Sequence, residues 1–349
     1  MFWNGIQLAD QFDEYKAIIG KADKKVAHLM MLQRTTILTT PAVSFTPAQQ
    51  AVLKTIAYFD IFQYPVTKEE IRNFSGTILS LSQAEAALSE LQDTKIIFFH
   101  GGFFSLQDNP LLVYRRRQGN EKAALLLQKA SRIGRFLQRF PFVRAVGVSG
   151  SLSKNFADQK ADIDFFIITK SNRLWIARTW MHLFKKLTFI TGRQHYYCMN
   201  YYIDENALEL EEQNIFTAME LKTLLPVGGQ PAMDNFFEAN TWADNFLPSC
   251  INRRQENKDS GLNWFKRSIE WCLSGSVGAR LDNVLLSLTA RRWDRKKQSG
   301  KKNEKGLAMG LITNKHYAKS NPGNFQEKVL SAYEERLTNI IQFDTRNQL

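Results

Sequence analysis

The apolar positions along this chain change period several times, and each change predicts an element. In TPAQQAVLKTIAYFDIF, Val52, Ile56 and Phe59 recur at helical spacing behind Thr46, an N-cap residue, and Pro47, suited to the first helical position. YPVTKEEIRNFSG predicts a turn and a short helix capped by Thr67, with Glu70 three residues on. SQAEAALSELQ predicts a third helix, with Ser82 and Glu85 as its capping box and Ala84, Leu88 and Leu91 inward. In IIFFHGGFFSL two short β-prone runs flank Gly101-Gly102, a hairpin signal.

Three helices and a hairpin resemble a winged helix, here spanning residues 46–108. Such domains can lay the third helix in a DNA major groove. In this chain that helix carries Glu85, Glu90 and Asp93 against Lys95 alone. Phosphate contacts dominate DNA affinity, and this face repels phosphate. A positioning or interaction module is therefore expected, and sequence-specific DNA binding is not.

Residues 109–140 form a connecting segment. Its apolar stripe, Leu125–Leu127, Ile133 and Phe136–Leu137, predicts one long helix or a helix broken near Gly119, stopped by Pro141. The period then switches again. PFVRAVGVSGS predicts a buried strand ending in Gly150-Ser151, and DIDFFIIT a second strand after about ten polar residues. SNRLWIARTWMHLFKKLTFITG predicts a helix, with Trp175 and Trp180 in its core face, and YYCMNYYID a third strand. Beyond it, helices are expected in NIFTAMELKTLLPVGG, Asn235–Pro248, GLNWFKRSIEWCL, SVGARLDNVLLSLTARRW and the segment after Pro322. In the fourth of these, Val277, Leu281, Val284, Leu285 and Leu288 share a face expected to be core rather than membrane contact.

The chemistry concentrates at Asp162 and Asp164. Alternation along a strand projects both from one side, about 7 Å apart. Two unpaired carboxylates that close repel, and a divalent cation removes the conflict. Hard oxygen ligands suit Mg²⁺ (or Mn²⁺), which takes one or two carboxylates and the phosphates of a substrate. Gly150 lets backbone approach a phosphate closely, and the Ser151 hydroxyl and nearby amides can donate to it. Lys154 or Lys160 is a further candidate phosphate contact, although loop lysines are usually solvated.

A strand, a Gly-Ser turn, a strand bearing Asp-x-Asp, a helix and a strand resemble the DNA polymerase beta-like nucleotidyltransferase superfamily. The likeness is carried by Gly150-Ser151 and Asp162-Ile163-Asp164 and covers about residues 141–205. It implies an α/β (α+β) fold: a small mixed β-sheet nucleotidyltransferase core with flanking helices. A winged helix stands at its N-terminal side and a helical region at its C-terminal side. It also implies catalytic and metal-binding roles for Asp162 and Asp164, triphosphate contacts at Gly150 and Ser151, and an NTP substrate, ATP first among them. Active members commonly place a third carboxylate on a neighbouring strand. Here Asn200 falls at that position. The open options are Asp204, in phase at the strand end and expected as a metal ligand, a carboxylate from elsewhere such as Glu209 or Glu220, or a site of two.

His182, His195, Arg173 and Arg178 are expected to be structural or solvated rather than catalytic. The domains expected are residues 1–45 as an N-terminal extension, 46–108, 109–140, 141–250 as the nucleotidyltransferase domain, and 251–349 as a basic helical region. A mixed helix over Ala9–Met31 and an extended TTILTTPAVSFT are read in the first of these.

Composition adds a bias toward anionic partners. The net charge is +12, and residues 251–349 hold 19 Lys and Arg against 10 Asp and Glu. RRWDRKKQSGKKNEK, the densest part, is expected to be a solvated loop. Three widely spaced cysteines, Cys198, Cys250 and Cys272, suggest neither a disulfide framework nor a zinc site. The first residues lack the apolar core of a secretory signal, and no run reaches the roughly 18–20 apolar residues of a membrane span. A cytoplasmic location is expected, and a membrane partner is not.

The expected activity is transfer of a nucleoside monophosphate from an NTP to a hydroxyl acceptor, with release of pyrophosphate. The acceptor, a small molecule, protein or nucleic acid, is not specified by the sequence. The alternative is a nucleotide-binding or regulatory protein that does not turn substrate over.

Overall fold

A computed structural model describes residues 45–159, 161–192, 194–253, 264–300, 310–320 and 322–346. The expected helix over Ala9–Met31 and the expected extended run as far as Ser44 lie outside them, as does Lys160. The first described unit holds α1 (Pro47–Asp60), α2 (Lys68–Asn73) and α3 (Leu81–Asp93), then strands β1 (Phe98–His100) and β2 (Phe103–Ser105). Thr46 and Thr67 cap α1 and α2 as expected, each with its reciprocal side-chain bond. The third cap moves: Ser80 and Gln83 form the box, and the helix starts at Leu81. Ser82 and Glu85 therefore lie inside α3, because Ser80 already satisfies the first orphan amides. Gly101 and Gly102 both have positive φ, the geometry a two-residue hairpin needs.

α4 (Leu111–Leu137) is continuous. Gly119 does not break it. A Cβ there would lie 2.2 Å from the Phe156 ring, so glycine is the site of a close helix–loop contact. The central sheet follows: β3 (Val143–Ser149), α5 (Gly150–Ser153), β4 (Asp164–Thr169), α6 (Leu174–Thr188), β5 (Cys198–Asp204), α7 (Ile215–Thr223), β6 (Leu225–Gly228) and α8 (Gln230–Glu238). α9 (Trp264–Cys272), α10 (Ser276–Gln298), β7 (Leu311–Thr313), β8 (Tyr317–Ser320) and α11 (Phe325–Arg346) complete the described chain.

The six-stranded sheet has the order β6-β3-β4-β5-β8-β7 and is mixed: β4 and β5 run parallel and every other neighbour is antiparallel. Three of its strands were not foreseen. LPVG falls at the end of an expected helix, but Pro226 sits in β6 at the sheet edge, where a missing amide costs no ladder bond. The hairpin β7–β8 covers the other edge, so the region after residue 251 is not purely helical. Residues 291–298, expected as loop, continue α10, and residues 301–309 lie outside the described chain.

One face of the sheet, with Phe166, Ile168 and Tyr201, joins α1–α3, α7, α8 and α11 in a single buried cluster. The other, with Phe165, Ile167 and Tyr202, packs under α4 and α6. The first buried cluster thus runs without interruption from α1–α3 into the sheet.

Candidate functional site

β3 and β4 form an antiparallel pair in which Ser149 stands opposite Asp164. The end of β3 and the start of β4 therefore share one end of the sheet. Between them the chain turns at Gly150, whose φ of +74° a Cβ would disfavour by about 1–2 kcal/mol. The one-turn helix α5 follows directly, with Ser151 nearly buried. The Ser151 hydroxyl makes no hydrogen bond among the described residues.

Ile163 and Phe165 are fully buried on one side of the sheet, which sends Asp162 and Asp164 to the other. Asp162 lies just before β4 and is half-buried; Asp164 is its first residue and is 5% exposed. The backbone around them is held by parallel pairing, Ile163 N–H to His195 O at 3.1 Å and Cys198 N–H to Ile163 O at 3.2 Å. The structure thus brings together four of the expected residues: Gly150, Ser151, Asp162 and Asp164.

Asn200 completes the immediate surroundings. Its side-chain amide donates to Asp164 Oδ1 at 2.5 Å. Asn200 is the extra residue of a bulge: Met199 pairs with Phe165 and Tyr201 with Phe166, leaving Asn200 unmatched. The bulge also breaks the alternation expected along this strand. Tyr202 joins the core with Met199, on the face opposite Tyr201.

Asp204 is corrected as a metal ligand. It pairs with Thr169 at the far end of the parallel ladder, five residues beyond Asp164 and about 17 Å away at ~3.3 Å per residue. Its carboxylate is occupied there by the amides of Asn172 and Asn206 and by His316 Nδ1 at 3.0 Å. Glu209 is exposed and accepts from Gln213.

Lys154 is corrected as a phosphate contact. Its side chain turns inward, with Nζ 2.7 Å from Glu220 Oε1 and 3.2 Å from Gly150 O. Both side chains are out of water. Burial lowers the Lys154 pKa, and the Glu220 carboxylate opposes the drop. Lys154 therefore braces the Gly-Ser turn from below, and Glu220, one of the open third carboxylates, is spent on it.

Two further contacts at the turn carried no sequence signal. The Tyr64 hydroxyl donates to Lys154 O at 2.6 Å, across ninety residues of chain. Burial and then Glu70 push that phenol well above its ordinary pKa, so it remains a donor. Arg253 Nη1 reaches Ser153 O at 3.4 Å. Cys198, beside Asp164 in register, lies 3.5 Å from Lys185 Nζ; burial pushes its thiol up to about 12 and leaves it protonated.

The remaining candidates are structural. Arg173 donates to the carbonyls of Leu273 and Gly275 at 2.8 and 2.9 Å and ties α9 to α10. Arg178 is buried over the rings of Trp175 and Tyr202. His182 is held neutral, chiefly by burial and then by Arg178, and His195 is exposed. Trp175 is core as expected, but Trp180 is 41% exposed.

The donors present are hard oxygens, Asp162 and Asp164, on one face, with the Asp164 carboxylate oriented by an amide. Among the described residues no group of three or more His, Cys, Asp or Glu is placed to share an ion. Such a pair fits Mg²⁺, which keeps much of its shell from water and substrate phosphate. No family model, curated protein or solved structure matches this chain.

Proposed function

We propose that this protein is a Mg²⁺-dependent nucleotidyltransferase, resembling the DNA polymerase beta-like superfamily, acting at Asp162 and Asp164. The observation that carries the reading is the pairing of Ser149 with Asp164, which sets the Gly-Ser turn and the two carboxylates at one end of a rigid, buried strand pair. Asp162 and Asp164 would hold the cation, which supplies charge neutralisation for the triphosphate. Gly150 and Ser151 would receive phosphate oxygens through backbone amides and the Ser151 hydroxyl. An acceptor oxygen bonds to the α-phosphorus, the bond from that phosphorus to the pyrophosphate oxygen breaks, and the acceptor proton is lost to solvent. The unit over residues 46–108 is read as a winged helix in a positioning role. Tyr64 ties it to the turn, while Glu85, Glu90 and Asp93 on α3 are exposed.

One observation favours a second reading. The neighbouring strand offers Asp164 an amide rather than a third carboxylate, as a domain that binds nucleotide without turnover would. Incubation with α-³²P-labelled NTPs, Mg²⁺ and an acceptor-containing extract separates the two. Transfer of label with pyrophosphate release, lost in Asp162→Ala and in Asp164→Ala, supports the enzyme. Nucleotide-dependent thermal stabilisation without pyrophosphate supports the binding protein. Neither result, with both variants folded, rejects both.

A further inference from the structure

The apolar face expected to bury α10 does so only at Leu285, which packs against the core. Val277 is 67% exposed, Val284 52% and Leu288 56%, while Gly278 and Asp282 form the packed side. α10 lies along α6, with Asp282 Oδ1 accepting from Ile176 N–H at 2.9 Å. α6 has an exposed apolar row of its own, Leu183, Leu187 and Ile190 in the turn beyond it, and α9 exposes Trp264 and Trp271. All three helices pack on the same side of the sheet. Of the twenty-one large apolar side chains exposed among the described residues, twelve lie on these helices and that turn. So strong a concentration is not the scatter of single apolar residues that ordinary surfaces show.

The charge on this layer identifies what meets it. α6, α9 and α10 carry eleven Lys and Arg against three Asp and Glu. Arg178 and Lys266 turn inward. Of the acids, Asp282 is buried and Glu270 is held bidentate by Arg144, at 2.9 Å on each oxygen. Along α10 the apolar row runs directly into Arg291 and Arg295 at the same helical spacing. Apolar rows with tryptophans and a basic surplus match the headgroup–acyl boundary of an anionic bilayer. A second copy of the chain would set one basic layer against another. No described helix is long and apolar enough to cross a membrane, so contact would be peripheral.

We infer that the α6–α9–α10 layer docks this protein on an anionic lipid surface. The inference is independent of the nucleotide site. The full chain is floated with vesicles of phosphatidylcholine alone and of phosphatidylcholine with phosphatidylglycerol, at low and high salt. It binds the mixed vesicles, and high salt weakens the binding. Leu281→Glu with Leu288→Glu, and separately Arg291→Glu with Arg295→Glu, each reduce bound protein by about tenfold or more, at unchanged melting temperature. Absence of binding to the mixed vesicles, or binding that ignores both pairs of substitutions, overturns it. So does a concentration-dependent dimer that the leucine pair dissociates, which would assign the layer to a second copy.

Discussion

The Asn200 side-chain amide donates to Asp164 Oδ1 at 2.5 Å, and the bulge in β5 is what aims it there. Asp164 is 5% exposed, and a buried carboxylate relies on donors such as this amide. Asn200→Ala should cost about 1.5–3 kcal/mol, the usual worth of a hydrogen bond to a charged group. Asn200→Asp should melt lower than wild type in chelator, because one of two facing carboxylates must stay protonated. Millimolar Mg²⁺ should then raise its melting temperature more than it raises that of wild type. Equal Mg²⁺ responses in the two proteins would remove Asn200 from the site.

Lys154 and Glu220 form a pair that only works as a pair. Lys154→Met leaves a buried carboxylate without its cation and should cost about 3–5 kcal/mol in denaturant unfolding. Lys154→Met with Glu220→Leu should recover much of that loss, since the desolvation of both charges disappears with them. If the turn needs the brace, nucleotide binding falls in the double variant even where stability returns. Isothermal titration with MgATP reads this directly.

Asp282 gives the protein a pH-dependent seam between α6 and α10. Burial pushes its carboxyl up to about 6, against the opposing pull of the Ile176 and Trp175 amides. The folded state therefore holds this proton more tightly than the unfolded chain. The stabilisation is complete below the unfolded value near 4 and lost as pH rises through about 6. Asp282→Asn keeps an acceptor for the Ile176 amide and has no proton to lose. Melting curves from pH 4 to 8 should show the variant gaining on wild type as pH rises, with no further gain above about 7.

Gly119 is a packing requirement in the middle of a helix, where alanine would otherwise be preferred by about 1 kcal/mol. The Phe156 ring sits 2.2 Å from the position of a new Cβ. Gly119→Ala should therefore destabilise, by about 1–3 kcal/mol, rather than stabilise. Pairing it with Phe156→Leu should return part of the loss. A stabilised Gly119→Ala single variant would show that the ring moves freely.

The local elements were legible because their causes are local. Thr46, Thr67 and the Gly101-Gly102 pair act within four residues of themselves, and α1, α2 and the β1–β2 hairpin follow from them. Asp162 and Asp164 were legible for the same reason: alternation across Ile163 is a property of three consecutive residues. What failed depended on partners remote in the chain. β6 and the β7–β8 hairpin are too short to announce themselves, and they exist because β3 and β5 offer open edges. Lys154 looked like a loop cation until Glu220, sixty-six residues on, drew it inward. Simple alternation puts Asp204 in phase with Asp164, but the bulge at Asn200 reverses it, so Asp204 pairs with Thr169 on the opposite face and at the far end of the ladder; that register is set by pairing. The row of α10 is amphipathic as expected, but of its members only Leu285 packs against the core. Periodicity identifies a face, whereas Asp282 on the Ile176 amide determines which face turns inward.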